Sequence, residues 1–136
     1  MDIRQEKQIE STIRQIKYRL DEGVLLQLKL QRERELERLV ATKCYARKDL
    51  SLEQANKCEE YYFKNDAKLN LLGRFSTDYL SKHIAELEQC YSSEEFHSLP
   101  TTADKDRKFL ACKHEWRVQM FNQVVPDLEE KAKQLF

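Results

Sequence analysis

From Ile3 to Ala46 the chain meets no proline and a single glycine, and within that run Ile9, Ile13, Ile16, Leu20 and Val24 recur at intervals of three and four. That rhythm places them on one stripe of a helix. Few folds admit so long a run with so little punctuation. Gly23 falls inside the rhythm at a cost of about 1 kcal/mol relative to Ala, and a bend is expected there. Beyond it Val24, Leu25, Leu26, Leu28 and Leu30 go nearly all the way round, which calls for cover on more than one side. Arg32-Glu33-Arg34-Glu35 is a solvated stretch, after which Leu36, Val40 and Cys44 resume a stripe. A thin aliphatic stripe on a charged helix buries little by itself and needs a partner. The chain's own later helices are one candidate and another protein is the other.

Composition settles the fold class. Ala, Glu, Lys, Arg and Leu make close to half the chain, as in long helices and coiled coils. Charged residues are 35%, against about 25% in an ordinary domain. Strands would need frequent turns and β-branched runs, and neither is found. The expectation is one all-α domain over 1–136, built of extended long helices with an elbow near residues 47–51 and hairpin or coiled-coil-like packing.

Ser51 followed by Gln54 makes a capping box, so a second helix starts at the elbow. Ala55, Cys58, Tyr62, Leu69, Leu72, Tyr79, Ile84, Leu87 and Tyr91 carry a helical rhythm through 52–91. A continuous or bent helix is favoured there over a hairpin at Gly73-Arg74, because Gly73 has no Pro or Asn beside it. Ser76-Thr77-Asp78 could cap a new start and keeps the hairpin open. Residues 92–102 read as a loop, with Ser92-Ser93, Ser98 and Pro100-Thr101-Thr102. Thr101 with Asp104 resembles a cap for a helix over 103–124, on which Phe109, Cys112, Trp116 and Met120 share a face. Asn122 to Pro126 is expected to interrupt it. Pro126 suits the first turn of a short helix over 126–135.

Lys plus Arg and Asp plus Glu are 24 each, which removes the whole-chain attraction toward phosphate backbones or anionic lipid. No apolar run approaches the roughly 20 residues of a membrane span. Met1-Asp2-Ile3-Arg4-Gln5-Glu6 mixes acids with bases and reads as neither a secretory signal nor a transit peptide. We therefore expect no nucleic acid, no transmembrane segment and no cleaved address.

Cys44, Cys58, Cys90 and Cys112 fall on or beside apolar stripes. In a reducing compartment they could simply be small buried hydrophobes. The alternative is two disulfides, since the count is even and Cys44 and Cys58 stand about one and a half to two helical turns on either side of the elbow. Pairing Cys44 with Cys58 and Cys90 with Cys112 across the Ser/Pro loop is preferred. Cys58 with Cys90 and Cys44 with Cys112 remains open. A zinc site would need a tight knuckle, and residues two apart in Cys112-Lys113-His114 do not face the same way on a helix. No grouping of a thiol with an activating base or helix terminus in a pocket is visible, and neither a Gly-rich phosphate loop nor a Cys-x-x-Cys pair is present. No catalysis, cofactor, metal or small-molecule substrate is expected.

Two cysteine pairs on antiparallel helices of a small charged chain resemble the coiled-coil-helix-coiled-coil-helix proteins of the mitochondrial intermembrane space. The intervals here, residues 45–57 and 91–111, are longer than that family's, and the first pair straddles an elbow. The resemblance spans residues 44–112 and implies a compartment and an accessory or assembly role in respiratory complexes.

The expected function is accordingly that of a non-catalytic accessory subunit packed within a large assembly, a respiratory-chain or ATP synthase complex. A cytosolic or cytoskeletal coiled-coil adaptor is the alternative, and a small thiol-redox or chaperone protein a third. Expected protein contacts are Ile9, Ile13, Ile16, Leu20, Val24, Leu25 and Leu28, and the aromatics Tyr61, Tyr62, Phe63 and Trp116. Tyr61, Tyr62 and Phe63 cannot all share one helical face, and exposed aromatics commonly mark protein contact.

Overall fold

The first segment is helical from Ile3 to Tyr45 in the computed structural model, which describes residues 3–136. Its buried stripe runs Ile9, Thr12, Ile16, Leu20 and then Leu25. The last step is five residues, which in a regular helix would turn Leu25 about 140° away from its predecessors. A kink restores the alignment. Helix α1 (Ile3–Leu20) ends in a wide turn over Asp21–Leu25, where Gly23 leaves helical geometry at φ −97°, ψ −115°, and α2 (Leu26–Val40) follows. A second wide turn, Ala41–Tyr45, closes with the Ala46 N–H on the Ala41 carbonyl at 2.9 Å.

After the elbow come α3 (Leu52–Lys64), α4 (Ala67–Ser92), the single turn α5 (Glu94–His97), α6 (Thr102–Gln119) and α7 (Val125–Leu135). Between α6 and α7 a π-helical turn, Met120–Val124, inserts the extra residue that carries the buried stripe from Met120 to Val125. Asn122 to Pro126 was expected to break the helix. It lies instead inside a continuous helical path, with Pro126 in the first turn of α7, where its missing N–H costs nothing.

Polar contacts give the directions of packing. Gln5 donates to Asp106 at 3.2 Å, Lys113 to Gln8 at 3.0 Å, and Arg19 meets Glu129 at 3.8 Å, so α6 and α7 run parallel to α1. Helix α4 runs the other way: Asp66, its N-cap, meets Arg32, while Tyr91 at its far end feels the carboxylate of Glu6. Ile16, Leu20, Leu87, Phe109, Met120 and Val125 fill the centre of this three-rod bundle. The outer half of α2 packs with α3 as a hairpin whose buried residues, Leu36, Val40, Cys44 and Ala55, lie outside the bundle's core cluster. Among the described residues there is no strand, and no helix is long and apolar enough to cross a membrane.

The expected continuous helix over 52–91 is in fact two. It breaks at Asn65–Asp66, where the Asp66 carboxylate caps the Leu69 N–H at 3.0 Å, and not at Gly73. Gly73 sits inside α4 between buried Leu72 and Phe75, whose packing holds the helix straight through it. A Cβ at Gly73 would meet nothing within 4 Å. Gly73→Ala is therefore expected to raise stability by about 0.5–1 kcal/mol through lost backbone freedom in the unfolded chain, measured as a higher denaturant midpoint at unchanged slope.

Candidate functional site

The elbow is built from local chemistry. The Ser51 side chain accepts from the Gln54 N–H at 3.2 Å while the Gln54 amide oxygen accepts from the Ser51 N–H at 2.9 Å, so both halves of the capping box are made. Arg47 and Asp49 pair across the bend. Cys44 is wholly buried, Cys58 is partly exposed, and their Cα atoms stand 5.7 Å apart at disulfide distance. The Tyr45 hydroxyl lies 2.8 Å from Asn56 Oδ1 and is also hydrogen-bonded to the Glu59 carboxylate, so it ties the two arms together again on the outside. Donation to Glu59, with burial and the Glu59 charge behind it, pushes the Tyr45 phenol above its usual range.

The base of the hairpin is held ionically. Arg32 presents Nε at 3.0 Å and Nη2 at 2.6 Å to the two carboxylate oxygens of Asp66, a bidentate pair, and also reaches Glu35 at 3.0 Å. The Arg32 guanidinium holds the Asp66 carboxyl below its ordinary range, against the opposing effect of burial. A depressed carboxylate contributes stability above its unfolded pKa and loses it as pH falls through its folded one. Asp66→Asn keeps a capping oxygen but loses the charge. It is expected to cost about 1–2 kcal/mol at neutral pH, and the gap to the wild type should begin to narrow below about pH 4 and close only below the depressed folded value. Denaturation series at pH 7 and pH 3 test this.

Cys90 and Cys112 join α4 to α6 with Cα atoms 6.0 Å apart, again at disulfide distance. Trp116, one turn along α6, donates its indole N–H to the His83 carbonyl at 2.8 Å. These two contacts and the Tyr91–Phe109 ring pair at 5.6 Å fasten α6 against α4. Among the described residues no three His, Cys, Asp or Glu side chains come together as metal ligands.

Of the residues expected at a protein contact, Ile9, Ile16, Leu20, Leu25 and Trp116 lie instead in the chain's own core. Ile13, Val24 and Leu28 pack on its edge. The stripe finds its partner intramolecularly, because α4, α6 and α7 return alongside α1. Tyr62 and Phe63 are half-buried, and Tyr61 is 66% exposed, in an edge-on pair with Tyr62. The hairpin adds outward groups the sequence reading had not singled out: Leu52 is 73% exposed, and Leu39 and Tyr45 are also open. Exposure of Leu52 has no sequence signal, since it stands three residues before buried Ala55, a spacing that points it toward the same face. The Arg32–Asp66 clamp has none either, because its two residues lie far apart in the chain.

Comparison with protein-family models, curated proteins and solved structures found no match.

Proposed function

We propose that this chain is a non-catalytic accessory subunit that packs into a large protein assembly through its α2–α3 hairpin. One observation carries the reading: the hairpin stands outside the bundle core, is clasped by a cysteine pair, and turns Leu52, Tyr61 and Tyr45 to solvent. Large apolar and aromatic side chains on a rigid support lose little conformational freedom on binding and anchor protein contacts. The rest of the apolar surface supports the same placement, because the long stripe of α1 is already used inside the molecule. Four cysteines in two pairs at disulfide distance support an oxidising compartment. With the likeness to twin-cysteine helical proteins, the mitochondrial intermembrane space is the compartment we propose, and a respiratory-chain or ATP synthase complex the assembly.

Native electrophoresis of organelle extract tests both parts. The chain should migrate with a high-mass complex, and Leu52→Glu with Tyr61→Glu should release it as a folded, free protein of unchanged helicity. Migration of the wild type as a free monomer would defeat the proposal. Mass measurement of alkylated native protein tests the compartment separately: four labelled thiols would place it in a reducing one and favour a cytosolic adaptor.

A further inference from the structure

The bundle, away from the hairpin's residues, carries a different surface. Between α1 and α6 runs an open groove of about 380 Å³, lined by Lys7, Ser11 and Gln15 from one helix and Lys113, His114 and Arg117 from the other. Among the described residues no carboxylate lines it. Parallel packing produces this concentration: α1 bears Arg4, Lys7, Arg14, Lys17 and Arg19 against Glu6 and Glu10, and α6 bears more bases than acids. Like charges on adjacent helices oppose packing, and among the described residues Arg19, paired with Glu129, is the one α1 base that an ion pair offsets. Among the described residues Lys7, Arg14 and Arg117 have no carboxylate within ion-pair distance; Lys113 is bonded only to the neutral Gln8, and Arg117 stacks over Phe121.

We propose that this groove binds an acidic peptide segment of a partner protein, laid along the α1–α6 seam. The lining mixes cations with hydroxyl and amide groups, Ser11, Gln8 and Gln15, which suit the backbone of a peptide as well as its carboxylates. Exposed Tyr18 on one shoulder and Val118 on the other offer seats for apolar side chains between the acids. A nucleic-acid strand fits less well: Asp21 and Glu115 stand on the shoulders, where a continuous phosphate backbone would pass, and the neutral chain has no long-range field to draw it in. A flat bilayer would touch the helix ridges and miss the floor. This surface is independent of the hairpin, and either assignment can fail alone.

The test uses the full oxidised chain and a short fluorescein-labelled peptide alternating glutamate with alanine, read by anisotropy at low and high salt. The wild type should bind this peptide and not its glutamine–alanine counterpart, and added salt should weaken binding. The triple variant Lys7→Glu, Lys113→Glu, Arg117→Glu should bind at least about tenfold more weakly, whereas Lys57→Glu on the hairpin should bind like the wild type. Where the reversal perturbs helicity, Lys113→Gln with Arg117→Gln takes its place. Amide shifts on titrating the unsubstituted protein should map to residues 7–15 and 113–118. Equal binding of the two peptides, equal loss in the hairpin control, or shifts elsewhere would overturn the proposal. So would tighter binding of phosphatidylserine vesicles or duplex DNA, each of which would reassign the groove.

Discussion

Replacing Cys44 and Cys58 together by serine is expected to release α3 while leaving the bundle folded. Closing the intervening loop, with a sequence separation of 14, contributes about 3 kcal/mol by restricting the unfolded chain. Little else holds the hairpin. Helix α3 has 13 residues and one fully buried side chain, Ala55, and isolated helices of that length are marginal in water. What remains is the buried pair Leu36 and Val40 on the α2 side, the exposed Tyr45 contact with Asn56 and Glu59, and the Arg32–Asp66 clamp at the base. Hydrogen exchange should therefore show α3 amides losing most of their protection while α4 and α6 keep theirs. Uniform protection across the variant would mean that side-chain packing in the hairpin is much stronger than its burial indicates. The matching change at Cys90 and Cys112 should act differently. Those residues lie within the bundle, so the loss, again about 3 kcal/mol, should appear as a lower denaturation midpoint for the whole bundle with no local opening.

Phe109→Ala is expected to cost about 3–5 kcal/mol of global stability. Phe109 is 2% exposed, sits at the centre of the main core, and takes the edge of the Tyr91 ring at 5.6 Å. Its removal leaves a void between α4 and α6 that the Cys90–Cys112 pair prevents from collapsing freely. Leu110→Ala, its half-exposed neighbour, should change stability by no more than about 0.5 kcal/mol. Equilibrium denaturation of the two variants under oxidising conditions reads the contrast directly. Similar midpoints for both would show that the core is not where the buried cluster places it.

Reading these residues before the fold separates two kinds of information. Local chemistry was legible: Ser51 and Gln54 form their reciprocal cap, Thr101 accepts from the Asp104 N–H at 3.1 Å, and the cysteines on either side of the elbow stand within bonding distance. Each depends on residues close in the chain. The identity of the surface covering a stripe was not legible, because periodicity says which face is buried and nothing about what buries it. Ile16 and Leu20 would look the same against another protein as they do against α4 and α7. The break at Asn65–Asp66 was hidden for a related reason: the apolar rhythm continues past it, and the capping carboxylate owes its place to Arg32 on a distant helix. The five-residue steps at Leu25 and Val125 likewise read as lapses in a pattern until the wide turns that absorb them are seen.

The two cross-links follow one another along the chain without nesting or overlapping, one spanning 44–58 and the other 90–112. A polypeptide emerging amino end first, from a ribosome or through a narrow translocation channel, can thus seal its first covalent ring while the residues of the second are still inside. Neither ring has to be threaded or reopened for the other to form.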